Sequence, residues 1–245
     1  MIAKQMAANS AKLEKLIDDL RVAHGDNLAS IVLYGSAATG DQANARSDHN
    51  LLIVLQHITP MDLRAAHDAL REWHKLGQPT PVYFTLEELQ DAADVFPIEF
   101  LQMEKARKIL FGRDPFEFVQ ISQANLRHQT EYELRTALIR LRRLYIPASA
   151  SAEKLANLMS DSLASFAALF RALLILKNQE PPVSKQESVQ ATVRLLNLDA
   201  TPFERILKLH TDKTSTLTDA EANSLVATYM AQIEKVIEAV DRIEE

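Results

Sequence analysis

Two periodicities divide the chain. Leu13, Leu16, Ile17 and Leu20 recur at helical spacing, so Ala3 to Val22 reads as an amphipathic helix closed by Gly25-Asp26-Asn27. Leu28 to Tyr34 is a short β-branched apolar run, as is Leu51 to Leu55. A run apolar at every position fits a strand buried on both faces. Thr59-Pro60-x-Asp62 opens a helix predicted to reach Leu76. Pro81 to Thr85 is a third strand, and Thr85-x-x-Glu88 is a capping box for the next helix. A further helix starts at Pro97, and Arg107 to Phe111 is a fourth strand closed by Gly112.

Beyond Asp114 every pattern is helical. Leu134, Leu138 and Leu141 mark a helix over 126–145, and Leu155 to Leu174 one over 152–177. Ser184, Thr201 and Thr218 are candidate caps for three more. The last carries a long stripe, Leu225, Val226, Tyr229, Ile233, Val236, Ile237 and Val240. That stripe must pack either within the bundle or on a second copy. The fold class is therefore α+β: a small mixed-sheet domain over residues 1–113, then an all-α bundle of four to six helices over 114–245, with a ligand cleft expected between them.

Composition narrows the chemistry. The chain has no cysteine, which removes thiolate metal sites, disulfides and cysteine nucleophiles. The net charge of −6 disfavours sequence-independent nucleic-acid binding. No apolar run is expected to reach membrane-spanning length, and the first ten residues lack a signal-peptide core, so a cytoplasmic protein is expected.

The informative stretch is Ile31-Val-Leu-Tyr-Gly-Ser-Ala-Ala-Thr-Gly-Asp41, followed by Ser47-Asp-His-Asn-Leu-Leu-Ile-Val54. A strand, Gly-Ser, and then Ser-Asp-x-Asn opening a second strand resembles the nucleotidyltransferase superfamily with the DNA-polymerase-beta-like fold. The wider layout is similar to antibiotic adenylyltransferases, and to minimal nucleotidyltransferases paired with HEPN-type helical domains. The resemblance implies ATP or GTP at Gly35, Ser36, Gly40, Ser47, Asp48 and Asn50. It also implies magnesium held by an Asp-x-Asp pair and a third acid on a neighbouring strand. Two carboxylates two residues apart on a strand face one side, and magnesium takes hard oxygen ligands.

This chain departs from that pattern. Asp48 matches the first acid, but Asn50 stands at the second and Tyr83 at the expected third. Asp48 is thus the one surviving catalytic and metal-binding candidate, unless Asp41, Glu87 or Glu88 reaches the site. The implied function is a catalytically degenerate nucleotide-binding, regulatory or interaction protein. The alternatives are an active adenylyl transferase and a HEPN-like ribonuclease using Arg205 and His210, whose Arg-x4-His spacing arises easily by chance. Arg127, Arg135, Arg140, Arg142 and Arg143 read as a solvated helix face with i, i+4 pairs, or else a phosphate-facing wall. His49, Trp73 and His74 read as packing or surface residues. A homodimer through the C-terminal helices is the expected assembly.

Overall fold

The computed structural model describes residues 2–35, 37–38, 48–182, 184–211 and 217–243. The chain forms two compact units, Met1–Ile121 and Ser122–Glu245. Segment 114–121 falls in the first because Phe116 is buried in its core, with Val119 and Ile121 against it.

Among the described residues the first unit is built on four strands: β1 (Leu28–Tyr34), β2 (Asn50–Leu55), β3 (Val82–Thr85) and β4 (Arg107–Gly112). They lie in the order β3-β2-β1-β4. β1 is antiparallel to both β2 and β4, and β3 is parallel to β2. Parallel pairing needs a crossover, supplied here by α2 (Pro60–Ala65) and α3 (His67–His74). The sheet is covered twice. On one face Leu33, Leu51, Ile53 and Leu55 meet Leu16 and Leu20 of α1 (Ile2–His24) and Trp73 of α3. On the other Val32, Leu52 and Val54 meet Leu89 of α4 (Leu86–Asp91) and Phe100 and Met103 of α5 (Pro97–Lys105). This two-sided burial explains why β2 is apolar throughout.

The helix expected over 60–76 is two helices. The chain turns at Ala66, with φ −78° and ψ −5°. Asp62 of α2 accepts from Asn27 Nδ2 at 3.1 Å, and α3 seats Trp73 in the core. Thr59 and Thr85 form the capping boxes that their sequences predict.

His24, the last residue of α1, is buried with neither ring nitrogen hydrogen-bonded. Its ring meets that of Tyr83 edge-on at 5.9 Å. Burial lowers the His24 pKa, opposed by the charge of Asp62. A folded pKa below the ordinary value of about 6.5 means that the unfolded chain takes the proton first. Stability is therefore full above about pH 6.5 and falls as the pH drops towards the folded pKa. Thermal melting followed from pH 7.5 to pH 5.5 should show this decline, and His24→Phe should flatten it. An unchanged slope in that variant would assign the decline to other groups.

The second unit is five helices among the described residues: α6 (Gln123–Ala148), α7 (Ala152–Leu176), α8 (Lys185–Leu195), α9 (Thr201–Thr211) and α10 (Asp219–Asp241). Phe166, Phe170, Phe203 and Tyr229 form a chain of ring contacts 5.8–6.4 Å apart at its centre. The α10 stripe is buried, and α10 packs on α6, α7 and α9. That stripe is used inside the unit. α7 is long and apolar enough, by length and composition, to cross a membrane, contrary to the expectation above. Its Leu155, Met159, Phe166, Phe170 and Leu173 are buried in this core. Just ahead of α9 the Asp199 carboxylate accepts from Thr201 N–H at 2.9 Å.

Candidate functional site

The site is the end of the sheet where β1 finishes and β2 begins. Tyr34 pairs with Asn50 across the two strands, so Gly35 and Asn50 are brought together. Gly35 has φ +78°, a conformation costly for residues with a β-carbon. Asn50 Nδ2 lies 3.3 Å from where that β-carbon would sit. The turn is fixed by Gly35 N–H donating to Ala106 O at 2.9 Å and Ala38 N–H donating to Gly35 O at 3.0 Å. Asp48 is exposed just ahead of β2. Ser36, Gly40, Asp41 and Ser47 lie outside the described residues.

The start of β2 is anchored from the α1 side. His49 N–H donates to Gln78 Oε1 at 2.8 Å, and the His49 ring packs edge-on against Trp73 at 6.0 Å. Trp73 Nε1 donates to Pro79 O at 3.1 Å. His49 and Trp73 thus hold the strand that carries Asn50, and His74 lies at the surface bonded to Thr80.

The parallel register corrects the expected third position. Ile53 pairs with Tyr83, and Leu52 pairs with Val82. Side chains alternate across the sheet, so Tyr83 points to the α1 side with Ile53. Asn50 shares the opposite face with Leu52. The β3 residues on that face are Val82 and Phe84, neither an acid. The Tyr83 hydroxyl is buried without a hydrogen-bond partner, and burial pushes its pKa up to about 12. Glu87 and Glu88 do not rescue the site. They follow Thr85, which pairs with Leu55 at the far end of β2, and Glu88 is bonded to Thr85 N–H at 2.8 Å.

The donor set does not fit a two-metal cradle. Among the described residues Asp48 is the one carboxylate in place, Asn50 offers an amide, and the neighbouring strand offers carbon. Among the described residues no three His, Asp or Glu side chains are grouped to hold a metal ion.

One residue on this face was not singled out from sequence. Arg107 opens β4 opposite Tyr34, two strands from Asn50 on the same side. It pairs with Asp114 at 2.6 Å, donates to Glu104 O, and lies 5.5 Å from the centre of the Phe116 ring. Its guanidinium is occupied in fastening β4 to the 114–116 turn. Only the antiparallel register with β1 places it here, and no sequence spacing encodes that register.

Of the residues proposed for RNA cleavage, Arg205 is exposed on α9, and the His210 side chain lies outside the described residues. Arg127 and Arg135 both pair with Glu131, at 2.8 and 2.7 Å, and Arg142 pairs with Glu234.

A four-stranded mixed sheet with helices on both faces, a glycine turn leading from the first strand, and a helical bundle after it define a nucleotidyltransferase-like fold. No protein-family model and no curated protein sequence matches the chain. Among solved structures, it is similar to the spectinomycin adenyltransferase AAD(9) of Enterococcus faecialis, solved with ATP and spectinomycin. The TM-score is 0.57 at 15% identity, over 95% of this chain and 99% of that one. At that identity the likeness is one of fold.

Proposed function

We propose that this protein binds a nucleotide, ATP or GTP, at the Gly35 turn, and acts as a binding or regulatory module without metal-dependent nucleotidyl transfer. The observation that carries this reading is the seating of the Asn50 amide against Gly35, where the resemblance implies a second metal-binding carboxylate. Transfer from a triphosphate needs cations that neutralise its charge and align attacking and leaving oxygens. A lone exposed acid does not supply that. An amide beside a glycine turn can still donate to phosphate oxygens, and removing a carboxylate removes repulsion towards them. That the fold neighbour was solved with ATP supports a nucleotide as the ligand.

Thermal melting with and without nucleotide tests the proposal. At a hundredfold excess over Kd a bound ligand adds about 2.7 kcal/mol of stability, so the first unit should melt several degrees higher. The shift should persist when magnesium is chelated. Gly35→Ala, which strains the turn and crowds Asn50, should abolish it. No shift at millimolar ATP or GTP would overturn nucleotide binding. Incorporation of label from the nucleotide into any acceptor would overturn the degenerate reading.

A further inference from the structure

Two surfaces of the chain, one on each unit, are complementary in charge and both carry exposed apolar groups. The first is the outer face of α6. Tyr132, Ile139 and Ile146 follow one another at seven-residue spacing and are 67%, 55% and 73% exposed. Residues so spaced lie along one side of a helix, over about 21 Å at 1.5 Å per residue. Arg140 and Arg143 flank the stripe, and among the described residues neither has an ion-pair partner. The other α6 arginines differ, since Arg127, Arg135 and Arg142 are all paired within the unit.

The second surface is an open groove beside β3, at the edge of the sheet, of about 370 Å³. Tyr83, Phe84 and Ala92 line it, with Glu88 and Asp91 as acidic members. Ala92 O accepts from the N–H groups of Val95 and Phe96, two exposed apolar residues that follow the groove in the chain. Asp94 is exposed beside them. Large apolar side chains left in water on a charged surface mark contact sites more often than isolated ones do.

We propose that the protein self-associates by docking the α6 stripe of one copy onto the β3–α4 groove of another. The chain itself supplies both halves of the match, arginines with apolar side chains on one and carboxylates beside apolar residues on the other. A second copy is therefore the occupant that the observations favour over an unrelated acidic or basic partner. The contact is heterologous, joining two different patches. Its short length and partly solvated charges place it among weak, salt-sensitive interfaces, with Kd in the micromolar range.

Sedimentation velocity of the full chain across a concentration series tests this. The weight-average mass should rise with concentration at low salt and return to that of the monomer at high salt. Arg140→Glu with Arg143→Glu reverses one surface, and Asp91→Lys with Asp94→Lys reverses the other. Each double variant alone should associate at least tenfold more weakly. An equimolar mixture should associate again, because the reversed stripe of one meets the reversed groove of the other. Circular dichroism confirms that both variants are folded. A chain that stays monomeric at the highest concentration and low salt overturns the proposal. So does full association by the Asp91 and Asp94 variant alone, which would mean that α6 pairs with itself, or a mixture that fails to associate.

Discussion

Gly112→Ala should cost the first unit about 3–5 kcal/mol, while Gly77→Ala should cost about 1 kcal/mol. Both glycines have φ +76°, a conformation that disfavours a side chain at each. Their neighbours differ. A β-carbon at Gly77 meets nothing within 4 Å, whereas one at Gly112 would lie 2.0 Å from Ala29 O and 3.0 Å from Ala29 C and Ser30 Cα. Those atoms are backbone of the bonded strand β1, since Ser30 pairs with Gly112 and Ser30 Oγ donates to Phe111 O at 3.0 Å. Relief would require β4 to move away from β1. Trp73 is the chain's one tryptophan and is buried in the first unit, so its fluorescence reports that unit's unfolding. The expected fall in Tm is on the order of 15 °C for Gly112→Ala and about 4 °C for Gly77→Ala. Equal losses would show that the close approach of β4 to Ala29 is not maintained in solution.

Gly112 also marks where the sequence stopped being informative. The residue reads as the end of a strand, and that is where it lies. The sequence holds no sign that a neighbouring strand passes within reach of its α-carbon. The same division holds across the fold. β1, β3 and the capping boxes at Thr59, Thr85 and Thr218 follow from residues close in sequence, whose preferences are local. The turn at Ala66 does not, because no glycine or proline stands there to mark it. At the site, the meeting of Gly35 with Asn50 was implied by the motif. The side of the sheet to which Tyr83 points was not. It depends on whether β3 pairs with β2 in one register or in the next, and a slip of one residue exchanges the faces.

That register makes the final prediction. If the site lacks metal because it lacks acids, adding them on the correct face should restore binding. Asn50→Asp with Val82→Asp puts two new carboxylates on the face shared with Leu52, beside Asp48 at the open end of the sheet. Val82 is 38% exposed, so the added charge remains hydrated and costs little. Calorimetry should find magnesium bound at least tenfold more tightly than by the natural chain, a gain of about 1.4 kcal/mol or more. Asn50→Asp with Tyr83→Asp is the contrasting variant. Its second carboxylate enters the α1-side core among Leu33, Ile53 and His24, with the sheet between it and Asp48. It should gain no more magnesium affinity than Asn50→Asp alone and lose about 3 kcal/mol of stability by Trp73 fluorescence. The loss should shrink as the pH falls and His24 takes a proton that pairs it with the new acid. A magnesium gain from the Tyr83 variant and none from the Val82 variant would mean that β3 lies one residue out of the pairing described. Asn50 and Tyr83 would then share a face, and the count of acids around the Gly35 turn would have to be made again from that geometry.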